Sequence, residues 1–165
     1  MTTSPSTLRV CRTETTLTFQ VDGRVTMAQS VPLRRLAEQA LASGVRCLHI
    51  DLRRCLYIDS TFVGTLLVLQ RAARDRAAFA LLDPSAPCQR VLDSLGLGCR
   101  FPVVLGEELP AHVWEELDVT QEDRACLKYN VCDSHQELVN VGGRTAEPFR
   151  AVAESLKREL DAERH

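Results

Sequence analysis

An acid and two hydroxyls stand side by side at Asp59-Ser60-Thr61, between the alternating stretch "LHIDLRRCLYI" and the largely apolar run "FVGTLLVL". At a strand-to-helix junction this trio has two chemical uses. The first is capping: Ser60 or Thr61 accepts a bond from unpaired backbone N–H groups, and Asp59 complements the positive end of the helix dipole. The second is modification. A phosphorylated hydroxyl gains about −1.5 to −2 charges over a helix end that favours anions. The fold is kept while the surface beside Asp59 turns strongly negative, so a partner touching that spot meets repulsion and an added desolvation cost.

Other reactive residue types are less suggestive. The seven cysteines, Cys11, Cys47, Cys55, Cys88, Cys99, Cys126 and Cys132, are scattered, and no two form Cys-x-x-Cys. No His accompanies them at zinc-finger spacing, so the reading is no metal and reduced cysteines that serve as small hydrophobes. Cys55 is near the junction beside Arg53 and Arg54, and nothing else in the sequence lowers its pKa. His49 reads as structural, and His112 and His135 as solvated helix positions in an acidic segment. Asp59-Ser60 as an enzymatic nucleophile lacks a matching general base, which points to a non-enzyme. No Gly-x-x-x-x-Gly-Lys-Ser/Thr run cradles a phosphate, and no cofactor is expected.

The elements that must hold the junction can be read from periodicity. Leu8 and Val10 suggest a first strand, and "TLTFQV" a second that puts Leu17, Phe19 and Val21 on one face. "GRVTMAQS" reads as a loop, with a helix beginning at Ser30 as cap and Pro32 in its first turn. Leu33, Leu36, Ala37, Ala40 and Leu41 form its apolar stripe, and Gly44 ends it. The strand with Leu48, Ile50 and Leu52 inward leads to the junction. The helix after it, with Val63, Leu66, Leu67 and Leu69, is apolar over much of its circumference and should be largely buried. "AFALLD", a helix from Ser85 to Leu95, and an edge strand in "FPVVL" complete the series. Strands separated by helices of this length predict an α/β domain, a small, partly parallel mixed β-sheet with helices packed on it.

The domain reading is a flexible N-terminus over 1–7, a first domain over 8–105 and a helical extension over 106–165. In the extension, a short helix is expected after Pro110, and Trp114 is expected to anchor the segment to a core. A helix capped near Thr120 and Asp123 should run to Val141, with Leu127, Val131, Ser134, Leu138 and Val141 on one face. Thr145 with Pro148 should open a last helix carrying Phe149, Val152, Ala153, Leu156 and Leu160. The pair makes a helical hairpin whose stripes bury against each other, the first domain or a second copy, as in a homodimer.

Net charge is −2 with a pI near 6.1, so no global basic field favours nucleic acid or anionic membrane. No apolar run reaches the roughly 18 residues of a membrane span, and the N-terminus lacks a secretion-signal layout. A cytoplasmic location is expected.

The order of elements, Gly23 closing the second strand, "LHIDLRRCLYIDST" and "QRVLDSLGL" together resemble the STAS domain over about residues 8–105. More narrowly, they are similar to the bacterial anti-sigma-factor antagonist family. There, the Ser after the Asp of Asp-Ser-(Ser/Thr)-Gly-Leu-Gly is phosphorylated by a serine kinase of the histidine-kinase-like ATPase class, itself the anti-sigma factor. Only the unphosphorylated antagonist binds it productively, and a metal-dependent serine phosphatase resets the switch. The resemblance implies that Ser60 is the phosphorylated residue, with Thr61 a lesser candidate. It implies that Asp59, Ser60, Thr61, Phe62, Gly64 and Thr26 meet the partner. Two positions depart from the pattern: Phe62 replaces the first Gly, and Gly23-Arg24-Val25-Thr26 replaces Gly-Glu-Leu-Asp. An alternative within the same fold is a STAS regulatory subunit of a lipid-transport ATPase complex, without a phospho-switch.

Overall fold

The computed structural model describes residues 6–120, 123–143 and 146–164. Two strands, β1 (Thr7–Arg12) and β2 (Thr16–Val25), open the chain as an antiparallel hairpin. Then come α1 (Met27–Ala42), β3 (Cys47–Ile58), α2 (Ser60–Ala73), β4 (Ala78–Leu82), α3 (Ala86–Ser94) and β5 (Val103–Val104). A two-residue strand, β6 (Glu115–Glu116), and two helices, α4 (Arg124–Val141) and α5 (Glu147–Glu163), follow. The sheet order is β5-β4-β3-β2-β1-β6. The strands from β2 to β5 run parallel, and β1 is antiparallel to both its neighbours.

The mixed α/β architecture and the C-terminal helices agree with the sequence reading. Leu17, Phe19, Leu48, Ile50 and Leu52 are fully buried, as their alternation requires. Helix α2 buries every residue from Thr61 to Leu69 because it lies between the sheet and α4. Hydrophobic burial of this kind contributes about 1.5–3 kcal/mol per large apolar side chain.

Four local expectations need correction. The stretch "GRVTMAQS" is not a loop: β2 continues to Val25, and α1 starts at Met27 rather than Ser30. Thr26 is the N-cap and forms a reciprocal capping box with Gln29, which satisfies two orphan donors at once. Ser30 is buried inside the helix, and its hydroxyl donates to the Thr26 carbonyl at 3.1 Å. Pro32 therefore lies within α1, not in its first turn.

No helix follows Pro110; that segment is extended, and β6 pairs with the free edge of β1 at Arg9 and Val10. Trp114 is half-buried at this sheet edge, its indole N–H donating to the Pro110 carbonyl and Arg9 stacked 5.8 Å from its ring centre. The cap of α4 is Asp123, which accepts from the Ala125 N–H, while Thr120 bonds Asp118 instead. The expected cap at Thr145 and most of the expected flexible N-terminus lie outside the described residues, and β1 already begins at Thr7.

The hairpin packs in cis. Helix α4 rests on α2 and α1, and α5 rests on α4. Gly64 permits the close approach: a Cβ built there would stand 2.3 Å from the Ser134 carbonyl oxygen.

Candidate partner-switch site

The junction is built where β3 ends and α2 begins. Asp59, not a hydroxyl, is the N-cap of α2: its Oδ1 accepts from the Phe62 N–H at 2.8 Å. Its Oδ2 accepts from the Met27 N–H at 3.0 Å, so one carboxylate ties the starts of both α1 and α2. Burial pushes the Asp59 carboxyl above its usual range, and the N–H bonds from Phe62 and Met27 oppose that shift. Capping was therefore expected of the wrong side chain. A carboxylate on an extended residue reaches the third helical N–H, and Ser60 at the first helical position does not need to.

This leaves the Ser60 hydroxyl for another partner. Its Oγ is 3.3 Å from Nε2 of His135, on α4. The other ring nitrogen, Nδ1, is 2.7 Å from the Val131 carbonyl, which can only accept. In the neutral ring Nδ1 thus carries the proton, and the Ser60 hydroxyl donates to Nε2.

His135, a solvated position on its sequence pattern, is instead 7% exposed and packed against Phe149. Period-four spacing was the available signal. Asn130, Ser134 and Leu138 fall on one helical face, and a polar residue on a buried stripe asks for a partner.

The rest of that stripe is also polar and paired. Thr65 donates to the Thr61 carbonyl at 2.8 Å, so its single hydroxyl proton is spent there. It then accepts from the Ser134 hydroxyl at 2.9 Å and the Asn130 amide at 3.3 Å. Arg34 on α1 donates to the Asn130 side-chain oxygen at 3.2 Å and pairs with Asp133 at 2.7 Å. Glu137 pairs with Arg71 near the end of α2. Among the described residues, no buried side-chain polar atom lacks a partner.

The structure thus brings Asp59, Ser60, Thr61 and Thr26 to one end of the sheet, where Met27 and Leu56 are exposed. Thr61 is buried, and Phe62 is turned wholly into the core at 0% exposure. The ring that replaces the family glycine therefore adds nothing to the surface. Gly64 faces α4 rather than solvent. His112 is exposed, as expected, but lies on no helix, and His49 is half-buried on β3 with burial lowering its pKa. The Cys55 thiol donates to the Tyr57 carbonyl at 3.4 Å; its hydrogen bond with Cys88, then burial, pushes its pKa up. No cluster suited to a metal ion occurs among the described residues, and none of their helices is long and apolar enough to cross a membrane.

A parallel-centred sheet with an antiparallel N-terminal hairpin and a Ser at the first position of the helix after β3 defines a small mixed α/β domain. Residues 8–105 match the family described as "Mlab, STAS domain", well over half of the chain. The chain belongs to the STAS domain family. No curated protein matches it significantly.

Among solved structures, the anti-sigma factor antagonist SpoIIAA in its unphosphorylated form is similar, with 21% identity and a TM-score of 0.55. That match covers 61% of this chain and 89% of the other. An anti-sigma factor antagonist from Mycobacterium paratuberculosis gives 19% identity and a TM-score of 0.52, covering 60% and 85%. The Bacillus cell fate determinant SpoIIAA in its phosphorylated form gives 21%, 0.52, 61% and 92%. At these identities the likeness is one of fold.

Proposed function

We propose that this chain is an anti-sigma-factor antagonist-like binding switch, docking on a serine kinase of the histidine-kinase-like ATPase class when Ser60 is unmodified. The observation that carries this reading is the division of labour at the junction. Asp59 does all the capping, and Ser60 keeps its hydroxyl at a helix start able to bear an anion.

In the transfer step, Ser60 Oγ bonds to the γ-phosphorus of ATP, and the bond from that phosphorus to the β,γ-bridging oxygen breaks. ADP leaves, and the hydroxyl proton passes to a base on the kinase. The product carries about −1.5 to −2 charges beside Asp59 and weakens the complex. A metal-dependent phosphatase restores the hydroxyl. The chain itself supplies a surface and an acceptor, not catalysis.

The test compares Ser60→Ala and Ser60→Asp for affinity to the kinase. Ser60→Ala remains binding-competent, and Ser60→Asp binds about tenfold or more weakly, a coupling of about 1.4 kcal/mol. Equal affinity of the two variants sinks the switch.

The hydrogen bond that holds Ser60 to His135 favours one second reading, a STAS regulatory subunit of a lipid-transport ATPase complex with no phospho-switch. Incubation with kinase and ATP, followed by mass-spectrometric location of phosphate, separates the two readings.

A further inference from the structure

We propose that the α4–α5 hairpin is a cover that lies in cis over α1 and α2 beside the Ser60 helix start, so that Ser60 can be modified or bound by a partner only when the hairpin lifts. The inference rests on the switch reading for its purpose but on separate geometry for its existence. Three observations carry it.

First, the acceptor hydroxyl is engaged: Ser60 donates to His135, a buried residue of α4. A phosphoryl group cannot be inserted into a 3.3 Å oxygen–nitrogen separation. Its oxygens would also meet the Asp59 carboxylate, which repels an anion.

Second, α4 sits on α2 at backbone distance. The Ser134 carbonyl occupies the space over Gly64, the position that the family pattern assigns to the partner-facing helix. A kinase approaching that face meets α4 instead of α2.

Third, the contact is held by pairs that can exchange with water. Ser134 and Asn130 bond Thr65, Arg34 holds Asp133 and Asn130, and Arg71 holds Glu137. Each hydrogen bond offers a modest net contribution, about 0.5–1.5 kcal/mol, and the buried Leu138 of α4 adds about 1.5–3 kcal/mol, a sum compatible with opening short of global unfolding. Closure and partner binding are then mutually exclusive. By linkage, anything that favours one disfavours the other by the same factor, and a phosphate on Ser60 holds the hairpin open.

The test needs no kinase. In the full chain carrying Ser60→Cys, alkylation by iodoacetamide is followed by peptide mass spectrometry, with the exposed Cys99 as reference and the buried Cys88 as a reporter of core integrity. A thiol at a helix N-terminus is intrinsically reactive, so slow labelling at position 60 reports cover rather than weak chemistry. The expected rate there is about tenfold or more below that of Cys99, set by the population of the open form.

Adding Asp133→Arg, which turns the attraction to Arg34 into repulsion from a partly exposed position, raises the rate at position 60 about fivefold or more, with Cys88 still protected. Ser134→Leu, which drives a side chain into Gly64, does the same. Labelling at position 60 as fast as at Cys99 overturns the cover, and so does an unchanged rate in both variants. If position 60 is protected and then released while Ser60 never accepts phosphate from a kinase, the cover stands and the switch reading fails.

Discussion

Ser60 Oγ and His135 Nε2, 75 positions apart in the chain, meet at 3.3 Å across the contact between α2 and α4. The pair joins the family domain to the segment beyond its boundary at Leu105. What happens to the hydroxyl therefore depends on residues outside the domain that the family pattern describes.

Gly64→Ala tests how tightly α4 is seated. Alanine gains about 1 kcal/mol of helix propensity over glycine, but its Cβ would stand 2.3 Å from a backbone oxygen that has no flexible end to give way. Overpacking costs about 1–3 kcal/mol, so a net loss in chemical denaturation is expected, with faster amide exchange in α4. A stabilised protein would show that α4 does not rest on this position.

Asp59 should leave a signature in the pH dependence of stability. Its folded-state pKa is raised by burial, so the folded protein binds that proton more tightly than the unfolded chain does. The contribution is fully present below the unfolded value, about 3.9, and is lost as pH rises through the higher folded value. Urea titrations of wild type and Asp59→Asn across the acidic range should show wild type losing ground to the variant as pH increases. The opposite slope would mean that the N–H bonds from Phe62 and Met27 outweigh burial.

Phe62 is a core residue in a surface motif. Phe62→Ala should cost about 3–5 kcal/mol, the usual range for a truncated buried ring. Thermal or denaturant melts measure it directly. A cost under about 1 kcal/mol would place the ring at the surface, where it would confront a partner.

Arg34 and Asp133 should be energetically coupled. Both side chains are partly exposed, at 14% and 26%, so solvent screens the pair and the interaction is about 1 kcal/mol. A double-mutant cycle with Arg34→Leu and Asp133→Leu measures it, and salt should shrink it. Zero coupling at low salt would remove one of the ties between α1 and α4.

Much of the first domain was readable because its strands alternate and its helices are amphipathic. Leu48, Ile50 and Leu52 announce β3, and the largely apolar run from Phe62 to Leu69 announces a helix covered on several sides. Ser60 stood out by its neighbours. Two things stayed hidden. The cap was assigned to a hydroxyl because Ser, Thr and Asp all cap well; only the extended backbone of Asp59 decides among them. His135 stayed hidden because its importance is tertiary. Hydrophobic periodicity sees Leu127 and Leu138 but is blind to a polar stripe that buries against hydroxyls on another helix. Pro32 resembles a first-turn proline, but α1 starts earlier than it suggests, because the Thr26–Gln29 box, with its cap four residues upstream of Ser30, sets the boundary.

The face that α4 lays on α2 is built from an amide, a hydroxyl, an imidazole and a carboxylate, with Leu138 as its fully buried apolar member. Separating such a face hands water polar groups that it hydrates well, together with Leu138 and the part of α2 that α4 covers. Heat capacity and denaturant sensitivity both follow newly exposed surface, the former mainly its apolar part. The opened molecule would therefore leave only a partial mark on calorimetry and on bulk unfolding curves, smaller than an all-apolar interface of the same size would leave. Residue-resolved exchange is the observable in which it stands out.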